Sequence, residues 1–263
     1  MAKLEGNLQI TGSLDNLSFY KMRGSDKIIV RRKGGPSSKD VQESPNFENT
    51  RRNNREFAGR AAATAFIKRV LNPLTFLADY NITGPLNALL KPIQQMDTSS
   101  DWGHRSIIIS KNARLLQGFS INRRYQVDSI LRTPVLYSLE KQQVIIDIPE
   151  LLPGLNFISP GNYPWYKFIA TAGLIPDLYY MNDVWGYQPK SDLSYEPPYI
   201  DSTAWLPVNT RTAATQLTLD GLPEVKPDDH SIMIAIGIAF GTMQGTEIRP
   251  VKYVGAGKVI GME

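Results

Sequence analysis

Apolar and polar positions alternate in short runs along much of this chain, and the period of the pattern changes twice. Over residues 7–33 it is that of strands. Leu8 and Ile10, then Leu14, Leu17 and Phe19, recur at near-alternate positions, with Gly12 and Asp15-Asn16 as punctuation. Phe19-Tyr20-Lys21, a turn at Arg23-Gly24-Ser25-Asp26, and Lys27-Ile28-Ile29-Val30-Arg31 predict a hairpin, which Gly34-Gly35-Pro36 stops. The period then lengthens. A helix is expected from Ser44 as N-cap and Pro45 at the first helical position, or from a later start near Asn49 or Thr50, up to Asn72-Pro73. Its stripe is Phe57, Ala61 and Ala65, with Ala58 and Ala62 beside them and Phe66 and Val70 beyond. So much alanine lets a neighbouring backbone approach closely. Leu86, Leu89, Leu90 and Ile93 predict a second helix over about 84–96, with Pro92 marking a kink or an early end. A single helical turn is expected around Ala113–Leu116.

After Pro134 the texture becomes that of a β protein. β-prone runs at 135–139, 143–148, 165–171, 177–181, 203–208, 214–219, 231–240 and 247–254, with a last one near 258–260, alternate with proline and glycine. The run Ser231–Phe240 is apolar on both faces and is predicted to be a central strand. The fold class is therefore α+β, mostly β: an N-terminal β-hairpin and short helices, followed by an antiparallel β-sandwich-like C-terminal domain. The boundary is expected at 133/134, between a basic hairpin-plus-helix region (1–133) and the sandwich (134–263).

With 263 residues, 42% of them apolar and 21% charged, the chain can bury a core without staples. It has no cysteine, which removes disulfides, thiolate zinc sites and thiol nucleophiles together. The opening MAKLEGNLQITG has no apolar signal core, and the longest apolar run, Ile232–Phe240, falls far short of the ~20 residues that span a bilayer. No membrane insertion is expected, and a cytoplasmic location is the default, with an exported or extracellular assembly as the alternative. The net charge of +4 is unevenly spread. Residues 1–133 hold 21 Lys+Arg against 11 Asp+Glu, and residues 134–263 hold 8 against 14. Such a division is read as an anionic partner for the first half, as head-to-tail attraction between copies, or as two independently solvated surfaces.

Candidate chemistry is sparse. Asp228-Asp229-His230 has the residue types of a metal or base site, but reads more simply as an acidic turn before a buried strand, and neither His104 nor His230 has a helical partner at i+4. Gly255-Ala256-Gly257-Lys258 is not a phosphate loop: Lys252 stands where the first glycine belongs and Val259 where Ser or Thr belongs. No catalytic residue, metal ligand or cofactor is assigned. Two groups remain as candidate interaction residues. Phe19, Tyr20, Arg31, Arg32, Lys33, Arg51, Arg52 and Arg55 combine charge with aromatic rings, as in phosphate contact and base stacking, although Asp40, Glu43, Glu48 and Glu56 dilute that field. Trp185 and Tyr187 lie in an irregular aromatic, proline-rich stretch over 183–202, expected either to be pinned across the sandwich or to meet a partner such as a carbohydrate.

GNLQITGSLDNLSFYK (Gly6–Lys21), IIVRRKGG (Ile28–Gly35) and SPNFENTRRNNREFAGRAAATA (Ser44–Ala65), with SKNARLLQGFSIN (Ser110–Asn122) and the β-rich tail, resemble a family of uncharacterised bacterial proteins. That family opens on a G-x-I-x-G…L-S-F-Y-K strand pair, a basic strand and an Arg/Asn-rich helix. The chain departs from the pattern at Asn49-Thr50-Arg51, where the family has arginine before the threonine, and at Phe57-Ala58-Gly59, where the glycine comes late. The resemblance implies an architecture and no site. Together these readings predict a non-enzymatic assembly subunit whose partners are other copies of itself, with nucleic-acid binding through residues 20–60 and carbohydrate binding as the alternatives.

Overall fold

The computed structural model describes residues 2–4, 10–21, 27–191, 195–223 and 229–263. The chain forms two compact units, residues 1–51 and 52–263.

In the first unit, β1 (Ala2–Leu4), β2 (Gly12–Leu14), β3 (Leu17–Lys21) and β4 (Ile28–Arg32) make an antiparallel sheet in the order β1-β4-β3-β2. The predicted hairpin pairs as expected, with Phe19 opposite Val30 and Lys21 opposite Ile28. Its turn at 23–26 lies outside the described residues, as does Leu8. Asp15 takes a positive φ of 48°, which aspartate tolerates, and so closes the tight link between Leu14 and Leu17. Helix α1 (Ser38–Glu43) begins on a reciprocal cap: the Ser37 hydroxyl accepts the Asp40 N–H at 3.0 Å, and the Asp40 carboxylate accepts the Ser37 N–H at 3.0 Å. Ser44, expected as the cap of the long helix, instead precedes a 3-10 turn over Pro45–Phe47. Helix α2 (Glu48–Val70) starts beside the later of the two expected positions.

In the second unit, α2 runs into a 3-10 turn (Asn72–Leu77), followed by α3 (Thr83–Gln95), a 3-10 segment (Ser110–Leu115) and the short α4 (Val127–Ile130). Pro92 does not end α3 early. It stands in the last turn, and the helix reaches Gln95. Among the described residues ten strands follow: β5 (Leu136–Glu140), β6 (Gln143–Ile148), β7 (Trp165–Pro176), β8 (Tyr179–Asn182), β9 (Gly186–Gln188), β10 (Tyr199–Ser202), β11 (Leu206–Pro207), β12 (Thr215–Asp220), β13 (His230–Gln244) and β14 (Glu247–Met262). The main sheet runs β10-β7-β13-β14, with β11 also paired to β7, and a smaller sheet runs β12-β6-β5.

Strand periodicity explains the layering. Tyr166, Phe168, Ala170, Ala172 and Leu174 of β7, with Ile232, Ile234, Ile236, Ile238 and Phe240 of β13, point to the small sheet and form one core with Val144, Ile146, Leu217 and Leu219. The intervening Ile169 and Ile175, and Met233, Ala235 and Ala239, point the other way and form a second core with Ile67, Leu71, Leu74, Leu77, Leu86 and Leu90. β13 is thus a central strand, as its two-faced apolarity predicts, between β7 and β14. The result is helices on a β-sandwich. The sandwich flanks are bridged by side chains: the Thr218 N–H donates to the Asp201 carboxylate at 2.9 Å on one side, and the Tyr137 hydroxyl to Glu263 at 2.7 Å on the other.

The boundary expected at 133/134 does not coincide with a break between compact units, because α2 and α3 share a core with the main sheet. Charge follows the same logic. Residues 52–133 carry 12 Lys+Arg against 5 Asp+Glu, so most of the positive excess packs within one unit with the acidic half.

The buried face of α2 is the predicted one only in its last turns, at Phe66 and Val70. Phe57 and Ala65 are exposed, and Gly59, Ala63, Phe66, Ile67 and Val70 face inward with Glu56 and Thr64 among them. The Thr64 hydroxyl is buried without a hydrogen-bond partner among the described residues. Thr64→Val replaces it with a methyl group of similar shape and is expected to stabilise the protein by about 1 kcal/mol, read as a higher urea midpoint.

Candidate interaction site

Tyr179-Tyr180-Met181-Asn182 and Gly186-Tyr187-Gln188 flank a turn whose chemistry is local. The Asn182 side-chain oxygen accepts the N–H groups of Val184 (2.9 Å) and Trp185 (2.8 Å), Gly186 supplies a φ of 62°, and the Gln188 amide donates to the Trp185 carbonyl at 2.8 Å. Tyr180 pairs with Tyr187 across the β8–β9 hairpin. The turn is closed by its own hydrogen bonds, and its apolar side chains are left outside. Val184 is 87% exposed and Trp185 67%, with Met181 also exposed.

The stem is anchored on α2. The Tyr187 ring lies against Gly59, where an added Cβ would stand 2.8 Å from three ring carbons. Its hydroxyl accepts from the Gln94 amide at 3.3 Å, and burial, helped by the nearby Glu56 charge, pushes it above the usual phenol range. One turn earlier on α2, Arg55 pairs with Asp183 at 3.1 Å, and Asp183 also accepts the Tyr180 hydroxyl. These two partners, Tyr180 first, hold the Asp183 carboxyl below its ordinary pKa. Tyr180 stacks on His104 with ring centroids 4.2 Å apart, and the His104 Nε2 stands 3.3 Å from the Arg55 guanidinium.

Below the stem lies a polar network that the sequence conceals. Glu56 is buried and accepts the Gly103 N–H at 3.0 Å, with Arg105 3.8 Å away. Arg60 donates to Asn87 (3.2 Å) and to Gln94, whose amide also donates to the Arg105 carbonyl at 3.0 Å. Every member is partnered, so the network fixes the hairpin's footing.

No family model, curated protein or solved structure matches this chain.

The geometry sorts the sequence-derived candidates. Arg55 and Trp185 are brought to the same hairpin. Tyr187 is only 7% exposed and offers no surface to a partner; its ring is the anchor, because Gly59 makes room for it. Arg52 stacks on Trp102 at 5.7 Å. Arg51 donates to the carbonyls of Val41 (2.9 Å) and Ser44 (2.8 Å), at the C-terminal end of α1. Three of the predicted phosphate-contacting arginines therefore have protein partners. Phe19, Tyr20, Arg31, Arg32 and Lys33 lie on β3, β4 and the residue after it, with the Arg31 guanidinium 5.6 Å over the Tyr20 ring.

Of the acidic turn, Asp228 lies outside the described residues. Asp229 pairs with Lys190 at 2.9 Å and accepts the Tyr179 hydroxyl at 3.1 Å, and His230 opens β13, where burial lowers its pKa. Ser110 donates both its N–H (2.9 Å) and its hydroxyl (2.6 Å) to Asp177, which thereby caps the 110–115 segment. Among the described residues no three acidic or histidine side chains converge to hold a metal, and no helix is long and apolar enough to cross a membrane. Gly255-Ala256-Gly257-Lys258 is strand β14, with Lys258 paired to Asp128 at 2.7 Å.

Gly59→Ala is expected to lift Tyr187 and loosen the hairpin without unfolding the unit. Trypsin cleavage at Lys190 should accelerate several-fold over wild type, and an unchanged rate would show that the ring does not depend on that glycine.

Proposed function

We propose that this protein is a non-enzymatic structural subunit that self-associates into a homo-oligomer, filament or particle. One observation carries the reading: the β8–β9 hairpin holds a tryptophan and a valine in solvent on a rigidly braced turn. An apolar tip that would gain by burial, mounted so that it loses little entropy on docking, is the form of a preorganised contact. The outer strand β2 of the first sheet, with Leu14 exposed, adds a second surface suited to association. Head-to-tail attraction between whole halves has less support, since most of the positive excess lies in the same compact unit as the acidic half.

The test is mass by light scattering from dilute to concentrated protein at low salt. Growth in mass with concentration is expected, and Val184→Ser/Trp185→Ser should abolish or sharply reduce it. A wild-type protein that stays monomeric throughout sinks the reading.

A further inference from the structure

The hairpin tip needs a receptor, and the same unit carries a depression of suitable size and charge. Between the 110–115 segment, α4 and the end of β14 lies an open cleft of about 390 Å³. Its lining is mixed: Pro134, Val135 and Ile260 give it accessible apolar surface above the buried Val127, Leu131 and Val259, and Arg114, Gln117, Asp128 and Lys258 make the rest polar. Arg114 stands on its rim, exposed and without an ion pair among the described residues, while the other rim cation, Lys258, is paired with Asp128. The tip is the complement in both respects. It presents an indole and an isopropyl group, and next to them Asp183, whose side chain is 71% exposed even while paired with Arg55.

We infer that the hairpin tip of one copy, led by Trp185 and Val184, docks into the Val127–Leu131–Val259 cleft of a second copy, with Asp183 facing Arg114. The inference rests on the self-association reading above and names its contact. Knob and cleft are different surfaces of the chain, so the contact is heterologous. Each copy docked by its tip still offers a free cleft, and the arrangement extends into a ring or an open filament. An indole set against the apolar side chains of Pro134, Val135 and Ile260, ringed by polar groups, has the anatomy of a binding hot spot.

A heterologous contact has a signature that an isologous one lacks. Val184→Ser/Trp185→Ser removes the knob, and Gln117→Trp, an exposed position on the cleft wall, fills the hole. Each variant alone is expected to bind itself at least about 30-fold more weakly than wild type. Mixed, they should form dimers and nothing larger, because the hole-filled chain still has a knob and the knobless chain still has a hole. Circular dichroism and urea midpoints matching wild type establish that both variants fold. The absence of cysteine permits a second reading of the same contact. Val184→Cys and Gln117→Cys chains mixed under mild oxidation should cross-link to each other well above either chain with itself.

If wild type assembles but both variants assemble as wild type does, or if the cysteines link only like with like, the cleft is not the receptor and the inference falls while self-association stands. If wild type is monomeric at every concentration, both fall.

Discussion

Gly255→Ala is expected to cost about 4 kcal/mol of folding stability, a large part of the 5–15 kcal/mol typical of a domain. Two effects add. Gly255 holds a φ of 123°, a conformation that costs an L-residue on the order of 1–3 kcal/mol. An added Cβ would also stand 2.1 Å from the Ile238 carbonyl oxygen, on the central strand of the main sheet, where neither backbone can retreat without breaking the β13–β14 ladder. Gly245→Ala separates the two effects. That glycine also has a positive φ (65°), but open space surrounds it at the exposed tip of the β13–β14 hairpin. It should cost only about 1 kcal/mol. Urea denaturation of the two variants side by side decides the matter, and equal losses would mean that the close approach at Ile238 contributes nothing.

Asn122→Ala is expected to cost about 3–4 kcal/mol, far above the usual loss for a single polar side chain. Asn122 is fully buried. Its amide donates to the Leu77 carbonyl (2.7 Å) and the Tyr253 carbonyl (3.3 Å), and its oxygen accepts the N–H groups of Arg124 and Tyr125 (2.9 Å each). One side chain thus satisfies backbone groups from three separate segments, and removing it strands all four, each worth about 1–3 kcal/mol if it stays dry. It also steadies the bend of β14, where Tyr253 holds a φ of 66°. Asn122→Asp keeps the two acceptor contacts but turns a carboxylate toward two carbonyls. It should be as damaging as alanine at neutral pH and recover part of the loss in acid, where a protonated carboxyl donates again. An Asp variant with wild-type stability at pH 7 would contradict the described bonding.

What could be read in advance follows a physical rule. Strand β6 alternates buried and half-buried positions because one face is covered, and β13 is apolar from Ile232 to Phe240 because both are; the β-prone composition of each run is local and legible. The face of α2 was obscured because its inward residues include Glu56 and Thr64, while the apolar Phe57 is exposed. The partners that make Glu56 tolerable, the Gly103 N–H and Arg105, lie some fifty residues away. The hairpin is not legible as one, since 183–202 shows as an irregular aromatic stretch. Asn182 and Gly186 around a short link are turn residues with a mechanism, and the aromatic residues near them were conspicuous. What could not be seen is that two aromatics two positions apart part company, Tyr187 into the core and Trp185 into solvent. That outcome depends on a glycine on a helix more than a hundred residues earlier.

The main sheet serves as the common wall of two separate cores. If the helical layer peels away, β7 and β13 keep one face dry and expose the other to water, and the same holds in reverse if the small sheet detaches. Neither half-unfolded species retains the full set of contacts that orders those two strands, so residues 52–263 should melt in one step. Amides of β7 and β13 are then the last to exchange with deuterium, reached only by global opening.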